Sequence, residues 1–291
     1  MSSSTLGFRA APKSEGGYAG TLFLSVARRG GRTQPVRTEH GGVLRLMKPL
    51  YLDDSGQLTY VVVNPGGAYF GEACRFEVEV APSSHLLLSS QGATRIYRTP
   101  EDPAVQDASF TVGAGGRFEY VPDQTIAYRD ADYRQTTSLV VAPDAQAFVG
   151  EIVTPGWDPD GKPFTYTGMR LRLGVRHEDG GLVCADNVRI VPADIGSEID
   201  GDGYMESASH MGSVLVVGPH TADPSYVERV RELVGPDMRA GVTTGSRHGV
   251  SWLMVRALAD STDALYRLIL DVNEHDRSVT TGQGRLDLRR Y

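Results

Sequence analysis

From Leu58 to Arg98 the chain is interrupted too often for a long helix and too regularly for disorder. Leu58-Thr-Tyr-Val-Val-Val63 is β-branched and aromatic, the composition of a strand. Asn64-Pro65-Gly66-Gly67 stops it, because proline fixes φ and lacks an N–H, and paired glycines reach positive φ. Beyond Gly71-Glu72, Phe76-Glu-Val-Glu-Val80 alternates apolar and charged, as a half-exposed strand does. Leu86-Leu-Leu-Ser-Ser90 is a short apolar run and reads as a buried strand. Gln91-Gly92 then turns the chain into Ala-Thr-Arg-Ile-Tyr-Arg98. The unit is strand, glycine loop carrying one carboxylate, strand, turn, strand. Glycine makes up 34 of the 291 residues, above the usual share of about 7%, and only two segments show helical periodicity. A β-rich fold with many turns follows.

The rest of the chain repeats this grammar. Gly20–Ala27 alternates as a first strand, and Arg28–Thr33 is a turn that lacks the spacing of a phosphate-binding loop. Gly41–Tyr51 reads as a strand that Pro49 confines to an edge. Pro100–Asp107 reads as a polar loop. Strands are expected over 108–112, 117–128, 133–141, 145–153, 167–176 and 182–191, the last two as a hairpin across Gly180-Gly181. After a polar segment at 194–202 come a strand at 210–218, a helix at 221–234, strands at 239–244 and 250–258, and a helix at 260–275. Asp223 and Pro224 fit the cap and first position of the first helix. Leu265, Leu268, Ile269 and Val272 give the second one its apolar stripe. No repeat or Pro/Ser-rich linker divides the chain, so residues 1–291 read as one domain, with 194–206 the only segment where a subdivision would fall.

Gly66-Gly-Ala-Tyr-Phe-Gly71-Glu72 followed by Gln91-Gly-Ala-Thr-Arg-Ile-Tyr-Arg98 resembles the urease accessory protein D family (UreD, also called UreH). That family carries Gly-Gly-x-x-x-Gly-Asp and then Ala-[Ser/Thr]-[Lys/Arg]-x-Tyr-Arg. The resemblance extends from about Gly20 to the C-terminus. It includes the strand ending Lys48-Pro-Leu-Tyr51, the segment Phe118-Glu-Tyr-Val-Pro122 and the basic-aromatic tail Leu288-Arg-Arg-Tyr291. Three positions depart from the pattern. Glu72 stands for the usual Asp. Asp123-Gln124 stands for Gln then acid, which on an extended chain moves a carboxylate to the other face. Gly156-Trp157 stands for Gly-Arg.

The resemblance implies an irregular β-helix of many short strands with two C-terminal helices. It implies a scaffold rather than an enzyme, one that binds apo-urease (UreABC) with UreF and UreG and helps deliver nickel. It also implies that Ni²⁺ is in transit and that no cofactor is tightly bound.

Composition is compatible with this. The net charge of −7, from 36 acidic and 29 basic residues, does not favour nucleic acid as a partner. No run reaches the ~20 apolar residues of a membrane span. Two cysteines far apart, Cys74 and Cys184, fit a reducing cytoplasm. G-x-S-x-G, H-E-x-x-H and C-x-x-C are absent, and the seven histidines are scattered.

The carboxylates are the candidate chemistry. Glu72 lies in a glycine loop, Glu151 in the apolar run Phe148–Val153, and Asp186 in an otherwise apolar strand. Each reads either as a turn cap or arginine partner, or as one of a line of acids which, with Thr94, faces an internal passage. Weak oxygen ligands suit a hydrated divalent ion that must move on. Gly66, Gly67, Gly71, Tyr97 and Arg98 complete the motif positions. Two other classes remain: an enzyme built on an unrecognised carboxylate site, and a plain metal-binding protein. Converged acid/base groups would mark the first, and a closed high-affinity site the second.

Overall fold

In chain order, β1 (Gly20–Arg29) and β2 (Arg32–Gly42) form a hairpin across Gly30 and Gly31. Both glycines have positive φ (57° and 84°), as a two-residue hairpin turn demands. The computed structural model describes residues 17–63, 68–69, 71–195, 199, 201–234 and 238–288. β3 (Arg45–Leu46) pairs with β4 (Leu58–Val63). From β4 the chain coils between two sheets. β6 (Ala73–Val80), β9 (Ala104–Val112), β12 (Asp132–Val141) and β14 (Gly168–His177) lie in the first. β7 (His85–Ser90), β10 (Arg117–Val121) and β13 (Gln146–Val153) join β4 in the second. Short strands β5 (Ala68–Tyr69), β8 (Thr94–Ile96) and β11 (Thr125–Ala127) stack at one corner of the coil. Neighbouring coils pair in parallel. The body is therefore an irregular β-helix.

Antiparallel strands close the far end. β15 (Leu182–Ile190) forms a hairpin with β14 and is followed by the single turn α1 (Pro192–Ile195). β16 (His210–Val217) pairs with β13. β17 (Arg239–Arg247) and β18 (Val250–Ala259) then extend the second sheet. The first sheet reads β15-β14-β12-β9-β6-β1-β2, and the second β17-β18-β16-β13-β10-β7-β4-β3 with the corner strands attached.

Two apolar layers follow from this arrangement. Inside the coil, Leu24, Phe76, Val78, Phe110 and Leu139 of the first sheet pack with Leu86, Leu88, Phe118, Val149 and Leu215 of the second. On the outer side of the second sheet, Leu87, Phe148, Val214 and Val216 pack under α2 (Pro224–Glu232) and α3 (Thr262–Thr280). Leu86-Leu-Leu88 has no wet face because both sides of its strand are covered. Each such leucine contributes about 2 kcal/mol on burial. α2 starts as its sequence dictates: Pro224 occupies the first turn, and Asp223 accepts a 2.8 Å hydrogen bond from the Ser225 N–H. α3 is capped by Ser261, which accepts from the Ala264 N–H at 3.2 Å.

Four local expectations are corrected. Residues 104–107 are strand, not loop. The Val105 N–H donates to the Glu72 carbonyl at 2.9 Å, and pairing with β6 overrides the polar composition. Residues 32–42 form a strand although nearly every position is exposed, because the Gly30-Gly31 turn folds them back on β1. In the segment 41–51 only Arg45–Leu46 is strand beyond β2, and it stands at a sheet edge. α3 runs to Thr280 rather than His275.

Candidate functional site

Parallel stacking places side chains in rows along the coil axis. In the first sheet Gly20, Cys74, Gln106, Gln135 and Leu171 are successive cross-strand neighbours. In the second, Glu151, Ser213 and Arg256 are neighbours. The inner polar members of these rows meet. Gln135 donates its amide to a Glu151 carboxylate oxygen, and Tyr133 donates its hydroxyl to Gln135 Oε1 at 3.0 Å. Gln106 is hydrogen-bonded to the Tyr120 hydroxyl.

Two cavities adjoin this row. One, of about 80 Å³, lies among Tyr69, Gln91, Gly92, Thr94, Arg95, and Gln106. The other, of about 20 Å³, is walled by Thr94, Gln106, Asp123, Gln135 and Glu151. They share Thr94, Gln106, Tyr120 and Pro122. The smaller holds little more than a water.

Glu151 is the perturbed group. Burial pushes its carboxyl up to about 7, and the charge of Asp186 adds to the rise. The Gln135 hydrogen bond and the Arg256 charge oppose it. Asp186 comes from β15, at the end of the first sheet, and accepts from Arg256 Nη2 at 2.5 Å. Arg256 Nη1 donates to Ser213 Oγ at 2.9 Å. Glu151 thus lies within electrostatic reach of both members of the Asp186–Arg256 pair.

Glu72 is elsewhere. It follows Gly71, whose φ of +96° and whose 2.7 Å approach of a would-be Cβ to the Asp102 carbonyl both require glycine. Its charge adds to the burial that pushes the Cys74 thiol up to about 12. Four strand spacings separate β6 from β15, so Glu72 and Asp186 stand roughly 19 Å apart along the axis. Glu72 is thus remote from the neighbourhood that Glu151 and Asp186 share. Among the described residues no three His, Cys, Asp or Glu converge on a metal position.

Thr94 sits between the two cavities. Tyr97 and Arg98 do not join it. Tyr97 packs tilted against Tyr128, centroids 4.5 Å apart, and Tyr128 packs tilted against Trp157. Arg98 is 72% exposed and lies 3.7 Å from Asp130. Gly66 and Gly67 lie outside the described residues. Asp123 lines the smaller cavity. It sits in the corner between β10 and β11, where the face-swapping alternation of an extended chain does not apply. Gln106, Gln135, Ser213 and Arg256 are members that sequence reading misses. Gln106 falls in a segment that reads as loop, and Gln135 shares the buried face of its strand with Tyr133 and Leu139, where an amide carries no signature of its own.

A second polar cluster lies on the outer side of the second sheet, under α3. Arg117 Nη2 donates to Glu119 at 3.0 Å and to Asp276 at 2.6 Å. Arg277 Nη1 donates to the same Glu119 at 2.9 Å and to Gln57 at 3.1 Å. His220 lies 2.7 Å from Asp276, and the Tyr226 hydroxyl donates to Asp276 at 3.0 Å. Burial pushes the Asp276 carboxyl up, but the Arg117 charge and the His220 hydrogen bond outweigh it and hold the group at about 2. Both arginines are held by carboxylates within the fold, and the cluster fastens α3 to the sheet.

A family model described as UreD urease accessory protein matches residues 18–290. A protein of Arthrobacter sp. (strain FB24) named "Urease accessory protein UreD" is 43% identical over 277 residues, 94% of each chain. Proteins with the same name from Actinomyces naeslundii (42% identical over 274 residues, 94% of this chain and 98% of the relative) and Staphylococcus epidermidis (31% over 264 residues, 89% and 92%) match over nearly the same span.

Proposed function

This chain belongs to the UreD urease accessory protein family, and from that membership we propose that it is a urease maturation scaffold which binds apo-urease together with UreF and UreG and lets Ni²⁺ pass along its interior. Nickel is cargo in this reading, not a resident cofactor. No catalytic step is assigned to the chain, and its setting is the cytoplasm. No helix of the described residues is long and apolar enough to cross a membrane, and Cys74 and Cys184 are free thiols.

The observation that carries the reading is the polar row inside the coil. Hydroxyl, amide and carboxylate oxygens from Thr94, Gln106, Gln135 and Glu151 follow one another beside adjoining water-sized spaces. Such donors hold a hydrated dication weakly, and a row with a single carboxylate favours movement over capture. The space beside Glu151 admits water but no organic substrate, so its raised pKa supports passage better than acid–base catalysis. The assembly role is supported by the β2 and β17 sheet edges and by an apolar groove of about 810 Å³ along Met47, Leu50, Tyr51 and Leu288.

The test is co-expression with a urease operon that lacks its own UreD, reading urease activity and nickel per active site. The wild-type chain should restore both. Glu151→Gln and Glu72→Gln should each lower nickel content by at least about tenfold, with the accessory complex still assembling in pull-downs. Glu72→Asp, the family's usual residue, should work. Full activity of Glu72→Gln would remove Glu72 from the passage, and full activity of both glutamine variants would end the passage reading. Loss of the pull-down on Glu72→Ala would make that residue structural.

A further inference from the structure

Arg256 occupies the place where the interior row leaves the coil. Across Ser213, which neighbours both residues, lies Glu151, which walls the smaller cavity. On the outer side of Arg256 is a larger cavity of about 260 Å³, which it lines with Asn187, Tyr204, Met205 and Met211. Its guanidinium bridges the two sheets, from Ser213 Oγ (2.9 Å) and Met211 Sδ (3.3 Å) in β16 to Asp186 in β15 (2.5 Å). A cation moving from Glu151 towards Asp186 would meet a fixed like charge that also occupies the next carboxylate. We propose that Arg256 is the gate of this passage, closed while its guanidinium sits on Asp186 and open when it swings into the 260 Å³ cavity. The inference rests on reading the interior as a cation passage.

The contacts make the gate operable. Only the bond to Asp186 joins two charges, since a thioether and a hydroxyl are neutral acceptors that water replaces. The Arg256 and Asp186 side chains are 31% and 26% exposed, so water solvates the separated charges and the pair is not locked as a fully buried one would be. The cavity on the outer side gives the guanidinium somewhere to go. Opening would bare Asp186 and Glu151 together, two carboxylates where the closed state offers one.

Calorimetric titration of the full-length chain with Ni²⁺ alone tests this. Arg256→Met should bind Ni²⁺ at least about tenfold more tightly than wild type, because two carboxylates lose their competing cation. Arg256→Met/Glu151→Gln should lose that gain. A folded Arg256→Met chain with wild-type affinity overturns the gate. If Arg256→Met does not fold, Arg256→Met/Asp186→Asn removes the pair together and is compared with Asp186→Asn. Tighter binding by the double variant supports the gate, and equal binding overturns it. Nickel loading of urease by Glu151→Gln separately reports on the passage itself, so failure of the gate and failure of the passage give different results.

Discussion

Replacing Arg277 with methionine will lower the stability of the chain by about 3–5 kcal/mol, the largest loss expected of any single substitution proposed for it. Arg277 is 2% exposed and its guanidinium is engaged by Glu119, Gln57 and the Gly284 carbonyl. Methionine fills much of the same space, so the loss is not that of a cavity. It comes from Glu119, fully buried and then holding a charge that Arg117 must share with Asp276. Burial pushes the Glu119 carboxyl up, and Arg117 and Arg277 together bring it below its ordinary value, so its ionised form depends on both. Arg277→Met/Glu119→Gln leaves Arg117 and Asp276 as a neutral pair and should recover more than half of the loss. Thermal and urea unfolding of the four chains of this cycle decide it. The single variant should melt roughly 10 °C lower. A loss below about 1 kcal/mol, the range of exposed pairs, would show that this cluster does not fasten the helix.

Glu151→Gln will stabilise the fold at pH 8 and leave it unchanged at pH 4. The carboxyl is near 7 in the fold because of burial and keeps its ordinary value when the chain is unfolded. Below the unfolded value both states are protonated and the group contributes nothing adverse. As pH rises towards 7 the unfolded state releases its proton first, so the folded state loses ground until its own carboxyl ionises. Above that point the wild type carries a penalty of up to roughly 3 kcal/mol that the amide lacks. Asp276 has the opposite sign. Its carboxyl is held at about 2, so its stabilisation is present above the ordinary carboxylate range and fades as pH falls through 2. Unfolding free energies measured from pH 4 to 8 for wild type and Glu151→Gln give the comparison. Parallel curves would mean that Glu151 is not perturbed. An acid retained at a cost to stability is what a functional position looks like.

The strands were legible where one face meets water. Phe76–Val80 and 133–141 alternate because the outer face of the first sheet is wet. β2 was hidden because almost nothing in it is buried. The last turn of α3 was hidden for the opposite reason. Its buried face continues through Asn273, Asp276 and Arg277, and charged residues read as solvent-facing when their partners lie far away in sequence, as Arg117 does from Asp276. Glu151 could be found because an acid in Phe148–Val153 is out of place. Arg256 could not, because Arg between Val255 and Ala257 looks like the outward residue of an ordinary strand.

The placement of α3 bears on how the molecule comes apart. A stack of coils held only by contacts between neighbours frays from its ends, coil by coil. α3 lies across the stack instead. Leu265 and Ile269 sit against Gly212 of β16 and Gly150 of β13, where an added Cβ would come within 3.0 and 2.9 Å of them. Arg277 reaches Glu119 of β10 and Gln57 at the threshold of β4. One helix therefore touches both ends of the array, and neither end can loosen without breaking its hold on the other. The backbone amides of the first and last coils should then open to exchange together, in a single global event, rather than in the graded order of a simple repeat array.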